Sequence, residues 1–173
     1  MRKDTPRYTK KDEPIRMTPG ILDAETYGVR TTASDMVRFI EANMGRIDLD
    51  DDVRKAVTET HTGYYSVGAM TQDLIWEQYA YPVDLDDLLA GNSTDVSYKP
   101  NAATEITPPL PPRKDVWINK TGSTNGFGAY VAFVPEKGLG IVLLANKNYP
   151  VDARVTAAHR ILTKLGGSAP PGD

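Results

Sequence analysis

The segment Trp117-Ile118-Asn119-Lys120-Thr121-Gly122-Ser123-Thr124-Asn125-Gly126-Phe127-Gly128 concentrates the residue types that can do chemistry. A lysine stands at the end of an apolar run. A small hydroxyl residue and a glycine follow at once, then a glycine-rich turn. Such a lysine supplies a fixed positive charge for a substrate carboxylate and for the proton network around a nucleophile. The Thr121 hydroxyl can hydrogen-bond the same carboxylate. Gly122 has no Cβ, so a ligand can approach the strand backbone closely. An exposed strand edge offers N–H and C=O groups to an amide-containing ligand, as an added strand would use them, and one N–H can serve an oxyanion hole. Taken alone, Lys-Thr-Gly is a weak signal, because an ordinary exposed strand end can carry it.

Other chemistries find little support. There are no cysteines, which removes disulfides, thiolate nucleophiles and cysteine-based metal sites. His61 and His159 lie far apart and show no metal-ligand spacing, so structural or solvated roles are expected, with no metal and no cofactor. The run Asp48, Asp50, Asp51, Asp52 lacks the full calcium-loop pattern and reads as the acidic start of a helix. A net charge of −3 gives no basic surface for nucleic acid. No apolar run is long enough to span a membrane, and Met1-Arg2-Lys3-Asp4-Thr5-Pro6 is not followed by the apolar stretch of a secretory signal. A hydrophobic fraction of 40% over 173 residues suits one compact domain over 1–167.

The elements that must position Lys120 follow from periodicity and punctuation. Glu13 to Pro19 could hold a short strand, confined to an edge by its prolines, and 20–31 reads as an ordered loop. A helix is predicted from Ser34 to Met44. Thr31, Thr32 and Ser34 are candidate caps, and Met36, Ile40 and Met44 form a stripe widened by Val37 and Phe39. A second helix covers Asp51 to Thr58. Tyr64 to Met70 and Leu74 to Tyr81 are short aromatic-rich segments, the second read as a strand. Asp84 to Leu89 gives one helical turn. From Gly91 to Lys114 the chain is rich in Asn, Ser, Thr and Pro and reads as a long excursion of weak internal order. Val116 to Lys120 is a strand, and Gly128–Val134 with Leu139–Ala145 form a hairpin across Pro135-Glu136-Lys137-Gly138. Val151, Val155, Ala158, Leu162 and Leu165 mark one face of a closing helix ended by Gly166-Gly167. Residues 168–173 read as a disordered tail. The fold class is α+β, an antiparallel sheet flanked by helices.

Lys-Thr-Gly is also one of the signature elements of penicillin-recognising serine hydrolases. Its flanks raise it above chance. Lys120 to Phe127, the hairpin Gly128 to Ala145, and Asn146-Lys147-Asn148-Tyr149-Pro150 together resemble class C serine β-lactamases. So do Pro19-Gly20-Ile21-Leu22-Asp23-Ala24-Glu25-Thr26-Tyr27-Gly28-Val29, Ala69-Met70-Thr71-Gln72, Gly91-Asn92-Ser93 and Ile106-Thr107-Pro108-Pro109. The resemblance runs from about Pro14 to Leu165 and implies the C-terminal part of the β-lactamase/transpeptidase-like fold. It implies a catalytic Lys120, with Thr121, Gly122 and Ser123 binding substrate and Ser123 supplying an oxyanion donor. Tyr27 corresponds to an aromatic residue on the acyl side of the pocket, and Arg154 to a basic residue near the substrate carboxylate. Residues 84–115 correspond to the segment around the leaving-group side of cephalosporins. Val151 departs from an asparagine common in the family, and a valine cannot hydrogen-bond. The intact family works in the periplasm on β-lactams.

The other signatures are absent. None of Ser34, Ser66, Ser93, Ser97, Ser123 and Ser168 has lysine three residues on, and no tyrosine has asparagine two residues on. Ser123-Thr124-Asn125 fits Ser-x-Asn but lies inside the third element and cannot serve as the second. The expectation is a fragment that needs the N-terminal half as its partner and is inactive alone. The alternatives are a fragment of a related D-alanyl-D-alanine peptidase or esterase, or a non-catalytic ligand-binding or assembly module. Bland roles are expected elsewhere: packing for Trp76, Trp117, Tyr79 and Tyr81, and solvation for Glu77 and Glu136. For Arg154 the bland alternative is an ordinary surface charge.

Overall fold

The computed structural model describes residues 7–16, 29 and 31–167. Tyr27, most of the 20–31 loop, residues 17–19 of the proposed edge strand and the 168–173 tail lie outside the described residues. In chain order the elements are α1 (Ala33–Asn43), α2 (Asp51–Glu59), β1 (Gly63–Val67), β2 (Met70–Asp73), β3 (Glu77–Ala80), α3 (Leu85–Gly91), α4 (Thr94–Tyr98), β4 (Thr104–Leu110), β5 (Val116–Ser123), β6 (Gly128–Val134), β7 (Leu139–Ala145) and α5 (Val151–Gly166). The strands form one sheet in the order β4-β1-β2-β3-β5-β6-β7. Each neighbouring pair is antiparallel.

The sheet is buried on both faces at its centre. In β5 and β6 the side chains alternate between two cores. Trp117, Tyr130, Ala132 and Val134 join Tyr79, Leu88, Val155, Ala158 and Leu162 on one side. Val116, Ile118, Val131 and Phe133 join Trp76 and Ile40 on the other. This explains the unbroken apolar run of β6, since a strand covered on both faces has no polar side to alternate with. Trp117, Tyr130 and Phe133 are completely buried. Trp76, Trp117 and Tyr79 are therefore packing residues, as expected, and Tyr81 is half-buried against the same core as Tyr79.

Helix α1 begins where a cap is available. The Thr32 side chain accepts from the Asp35 amide at 3.2 Å, and Gly45 leaves the helix with a φ of 67°. Ile40 is buried and Met36 and Met44 pack beside it. Val37 and Phe39 stay exposed, so the stripe is narrower than expected. The acidic run works as predicted, with Asp50 capping α2 by accepting from the Asp52 amide at 3.0 Å. In α5, Val155, Ala158 and Leu162 are buried, Val151 is half-buried against the core, and Leu165 is exposed.

Two expectations are corrected. The Leu74 to Tyr81 run is a strand only over Glu77–Ala80, while Leu74 and Ile75 are exposed in the turn before it. The 91–114 excursion is also more ordered than its composition suggests, containing α4 and the edge strand β4. Register explains how β4 tolerates Pro108 and Pro109. Tyr65 pairs with Glu105 and Gly63 with Leu110, so the prolines sit in a bulge where the ladder asks for no amide donor.

Candidate functional site

Strand β5 leaves the core at the lysine. Val116 to Asn119 are buried, Lys120 is exposed, and Gly122 and Ser123 are exposed. The pairing changes at the same point. β3 accompanies β5 only from Ala80↔Val116 to Glu77↔Asn119, whereas β6 continues alongside to Ser123↔Gly128. On the β3 side, Lys120 to Ser123 thus have no strand partner among the described residues, and their outward backbone groups form an open edge. The structure brings together Lys120, Thr121, Gly122, Ser123 and Arg154; Tyr27 lies outside the described residues.

Lys120 has a partner that sequence spacing did not reveal. Its Nζ donates to Glu77 Oε1 at 2.6 Å. Glu77 was expected to be solvated, but its side chain is only 13% exposed. The reason is register: pairing Glu77 with Asn119 places the carboxylate beside the next residue of β5. Two residues 43 apart in sequence become neighbours only through the sheet.

Beneath the lysine lies a buried polar network. The fully buried Asn119 donates from Nδ2 to the Glu77 carbonyl at 2.8 Å. Its Oδ1 accepts from Asn92 Nδ2 at 2.9 Å and from the Tyr130 hydroxyl at 3.0 Å. Trp117 Nε1 in turn donates to the Tyr130 oxygen at 3.3 Å. Burial pushes the Tyr130 hydroxyl far above its usual range, so it stays a neutral donor. The network ties β5 to the C-terminal end of α3, where Asn92 follows the last helical residue.

Arg154 is no surface charge. It is 3% exposed, and burial lowers its pKa by desolvating the cation. Nη1 donates to the Gly122 carbonyl at 2.8 Å and to the Ala129 carbonyl, Nη2 donates to Ser123 Oγ at 2.7 Å, and Nε donates to the Pro150 carbonyl at 3.3 Å. Val151, three residues earlier, is half-buried against the core that Trp117 and Val155 share.

The turn after β5 is braced from below. Thr124 Oγ1 accepts from the Phe127 amide at 3.1 Å, and the Thr124 amide bonds the Phe127 carbonyl at 3.0 Å. Residues 7–16 fold back on themselves against this turn. Tyr8 exchanges backbone hydrogen bonds with Asn146 and Asn148, and the Arg7 guanidinium stands 5.3 Å from the Phe127 ring centre. A Cβ on Gly126 would come within 2.9 Å of Arg7 and Ile15 side-chain atoms, so glycine permits this contact. Both histidines are structural. His61 Nε2 lies 3.0 Å from Asn43 Oδ1 and His159 Nε2 lies 2.9 Å from the Val83 carbonyl. Among the described residues no cluster of acidic or histidine side chains could hold a metal, and no helix is long and apolar enough to cross a membrane.

Known proteins are similar in sequence over most of this length. A sequence profile of the β-lactamase family matches residues 1–165. The chain is 51% identical over 158 residues to a β-lactamase of Pseudomonas fluorescens, and 49% identical over 162 residues to one of Lysobacter lactamgenus. The chain belongs to the β-lactamase family. These alignments cover 91% and 94% of the chain but 44% and 42% of the two β-lactamases, so it spans less than half their length. Among solved structures, D-alanine carboxypeptidase AmpC from Burkholderia cenocepacia matches with a TM-score of 0.90 and 55% identity, over 92% of this chain and 46% of that one. A class C β-lactamase solved in complex with cefoxitin matches with a TM-score of 0.86 and 55% identity, over 92% and 44%. The antiparallel sheet with its helices is thus part of the class C β-lactamase fold.

Proposed function

We propose that this chain carries the carboxylate-binding strand of a class C β-lactamase, an enzyme that opens the β-lactam amide of cephalosporins and penicillins through an acyl-serine intermediate. The observation that carries the reading is the emergence of Lys120-Thr121-Gly122-Ser123 from the core along an open sheet edge. Lys120 supplies positive charge to the substrate carboxylate and to the proton network of the nucleophile. Thr121 hydrogen-bonds the carboxylate, Gly122 permits close approach, and the Ser123 amide serves the oxyanion. The family resemblance assigns Tyr27 to binding on the acyl side, and Arg154 supports the carboxylate end.

The nucleophilic serine, its lysine and the activating tyrosine come from outside this sequence, from an N-terminal half like that of the longer relatives. On this reading the working protein acts in the periplasm, where the family it resembles works. The names of two neighbours support a second reading. The Burkholderia cenocepacia structure is called a D-alanine carboxypeptidase, and one from Pseudomonas syringae a β-lactamase/D-alanine carboxypeptidase. Both activities require an acyl-serine and a carboxylate-binding strand.

The test mixes the chain with a matching N-terminal half and measures kcat/KM for one cephalosporin and one D-alanyl-D-alanine peptide. Hydrolysis is expected only in the mixture, and Lys120→Ala is expected to lower it by about 100-fold or more, the scale of losing one preorganised electrostatic group. Undiminished turnover by Lys120→Ala would falsify the site. A faster peptide than cephalosporin reaction would favour the second reading.

A further inference from the structure

We propose that Arg154 is a positioning residue that braces the outer end of β5 and acts on a bound carboxylate only through the Ser123 hydroxyl. This rests on the reading of β5 as the carboxylate-binding strand.

Three observations carry it. First, the guanidinium is already occupied. A guanidinium has five N–H groups, and four are engaged, one by each of Pro150 O, Gly122 O, Ala129 O and Ser123 Oγ. With the residue 3% exposed, it offers a ligand no open face. Second, its location is costly without these acceptors. It lies in the first turn of α5, where the helix end is positive and a cation is disfavoured, and it is out of water. The carbonyls of Gly122 and Ala129, which pair across β5 and β6, offset that cost. Third, space is made for it. A Cβ on Gly128 would lie 3.2 Å from Arg154 Cζ and from the Lys147 carbonyl oxygen, and 3.3 Å from Arg154 Nε.

The consequence falls on Ser123. Its oxygen accepts from Arg154 Nη2 at 2.7 Å. A guanidinium cannot accept, so the single hydroxyl proton of Ser123 must point elsewhere. Ser123 is exposed and stands beyond the last β3 partner of β5. Its proton is therefore available to an acceptor on the open edge. Donation from a charged group into the same oxygen polarises that O–H and makes it a better donor. Arg154 thus sets both where Ser123 stands and how strongly it donates.

The experiment uses the full 173-residue chain, labelled for amide NMR, as parent, Arg154→Ala, Arg154→Lys, Ser123→Ala and the Arg154/Ser123 double variants. The first readout is hydrogen exchange without ligand. Arg154→Ala is expected to speed exchange at Gly122 and Ala129 by about tenfold or more while Val116 to Ile118 stay protected, with partial recovery in Arg154→Lys. No change, or equal acceleration in the core strands, overturns the brace. The second readout is titration with cefoxitin of each variant mixed with the matching N-terminal half. Arg154→Ala and Ser123→Ala are each expected to weaken binding by a similar factor, and the double variant by no more than either. A full second loss in the double variant means that Arg154 meets the ligand itself and overturns action through Ser123. If Arg154→Ala does not fold, Arg154→Lys enters the cycle, since it keeps the charge but loses the planar fork. A parent that does not bind cefoxitin, or Lys120→Ala binding as well as the parent, sinks the functional reading instead, and the exchange pattern alone then decides the brace.

Discussion

The two halves of strand β5 obey different rules within eight residues. From Val116 to Asn119 every side chain is buried, β3 pairs along all four residues and β6 along Ile118 and Asn119, and the Asn119 side chain is held by Asn92, Tyr130 and Glu77. From Lys120 to Ser123 one edge is open, Lys120 and Ser123 are exposed, and each of their side chains meets a single partner from elsewhere in the chain. The inner half is fixed by packing, and it aims the outer half. A strand can therefore keep an unpaired edge without losing its direction.

The comparison breaks most visibly if the inner half proves dispensable. Trp117→Ala removes a fully buried side chain between α5 and the sheet and is expected to cost about 3–5 kcal/mol of unfolding free energy. Chemical denaturation measures this, and a loss under about 1 kcal/mol would show that the core does not depend on the strand. Asn119→Ala is expected to cost about 1–3 kcal/mol, because it strands the Glu77 carbonyl and the Tyr130 hydroxyl without adding a void of tryptophan size. A neutral result would mean that water takes over the network.

A third prediction uses pH on another buried group of the sheet. Asp73 is 3% exposed, its carboxylate oxygens have no hydrogen-bond partner among the described residues, and burial raises its pKa to about 8. The folded state holds the proton that the unfolded chain releases near pH 4. The cost to stability is therefore absent below that value, builds as pH rises, and is complete above pH 8. Asp73→Asn should stabilise the chain by at least about 1 kcal/mol more at pH 9 than at pH 4, a fraction of the ~1.4 kcal/mol per pH unit that full linkage allows. Equal gains at both pH values would refute the assignment. His61 acts in the opposite direction. Burial lowers its pKa to about 4, so stability falls as pH drops from 6.5 toward 4.

The smallest expected change in stability belongs to the outer half. Lys120→Ala breaks a pair whose lysine is 45% exposed, and should shift stability by under about 1 kcal/mol while removing the charge that the proposed chemistry needs. A thermal melt of Lys120→Ala that fell as far as that of Trp117→Ala would erase the distinction between the halves.

The sequence alone determined the local events. A cap within Thr31, Thr32 and Ser34, the glycine exit of the last helix, the β6–β7 hairpin and the end of the apolar run at Lys120 all follow from neighbouring residues, because capping, turn geometry and burial periodicity act over a few positions. The family was legible as well, since its motifs are contiguous. Tertiary structure decided what depends on register and burial. It decided that Glu77 meets Lys120, that Asn92 reaches Asn119, that the proline-bearing segment 104–110 is an edge strand, and that Arg154 turns inward to three carbonyls and a serine. A charged residue in a sequence looks solvated by default. Only the packing of α5 against β5 and β6 supplies enough acceptors to hold that cation out of water.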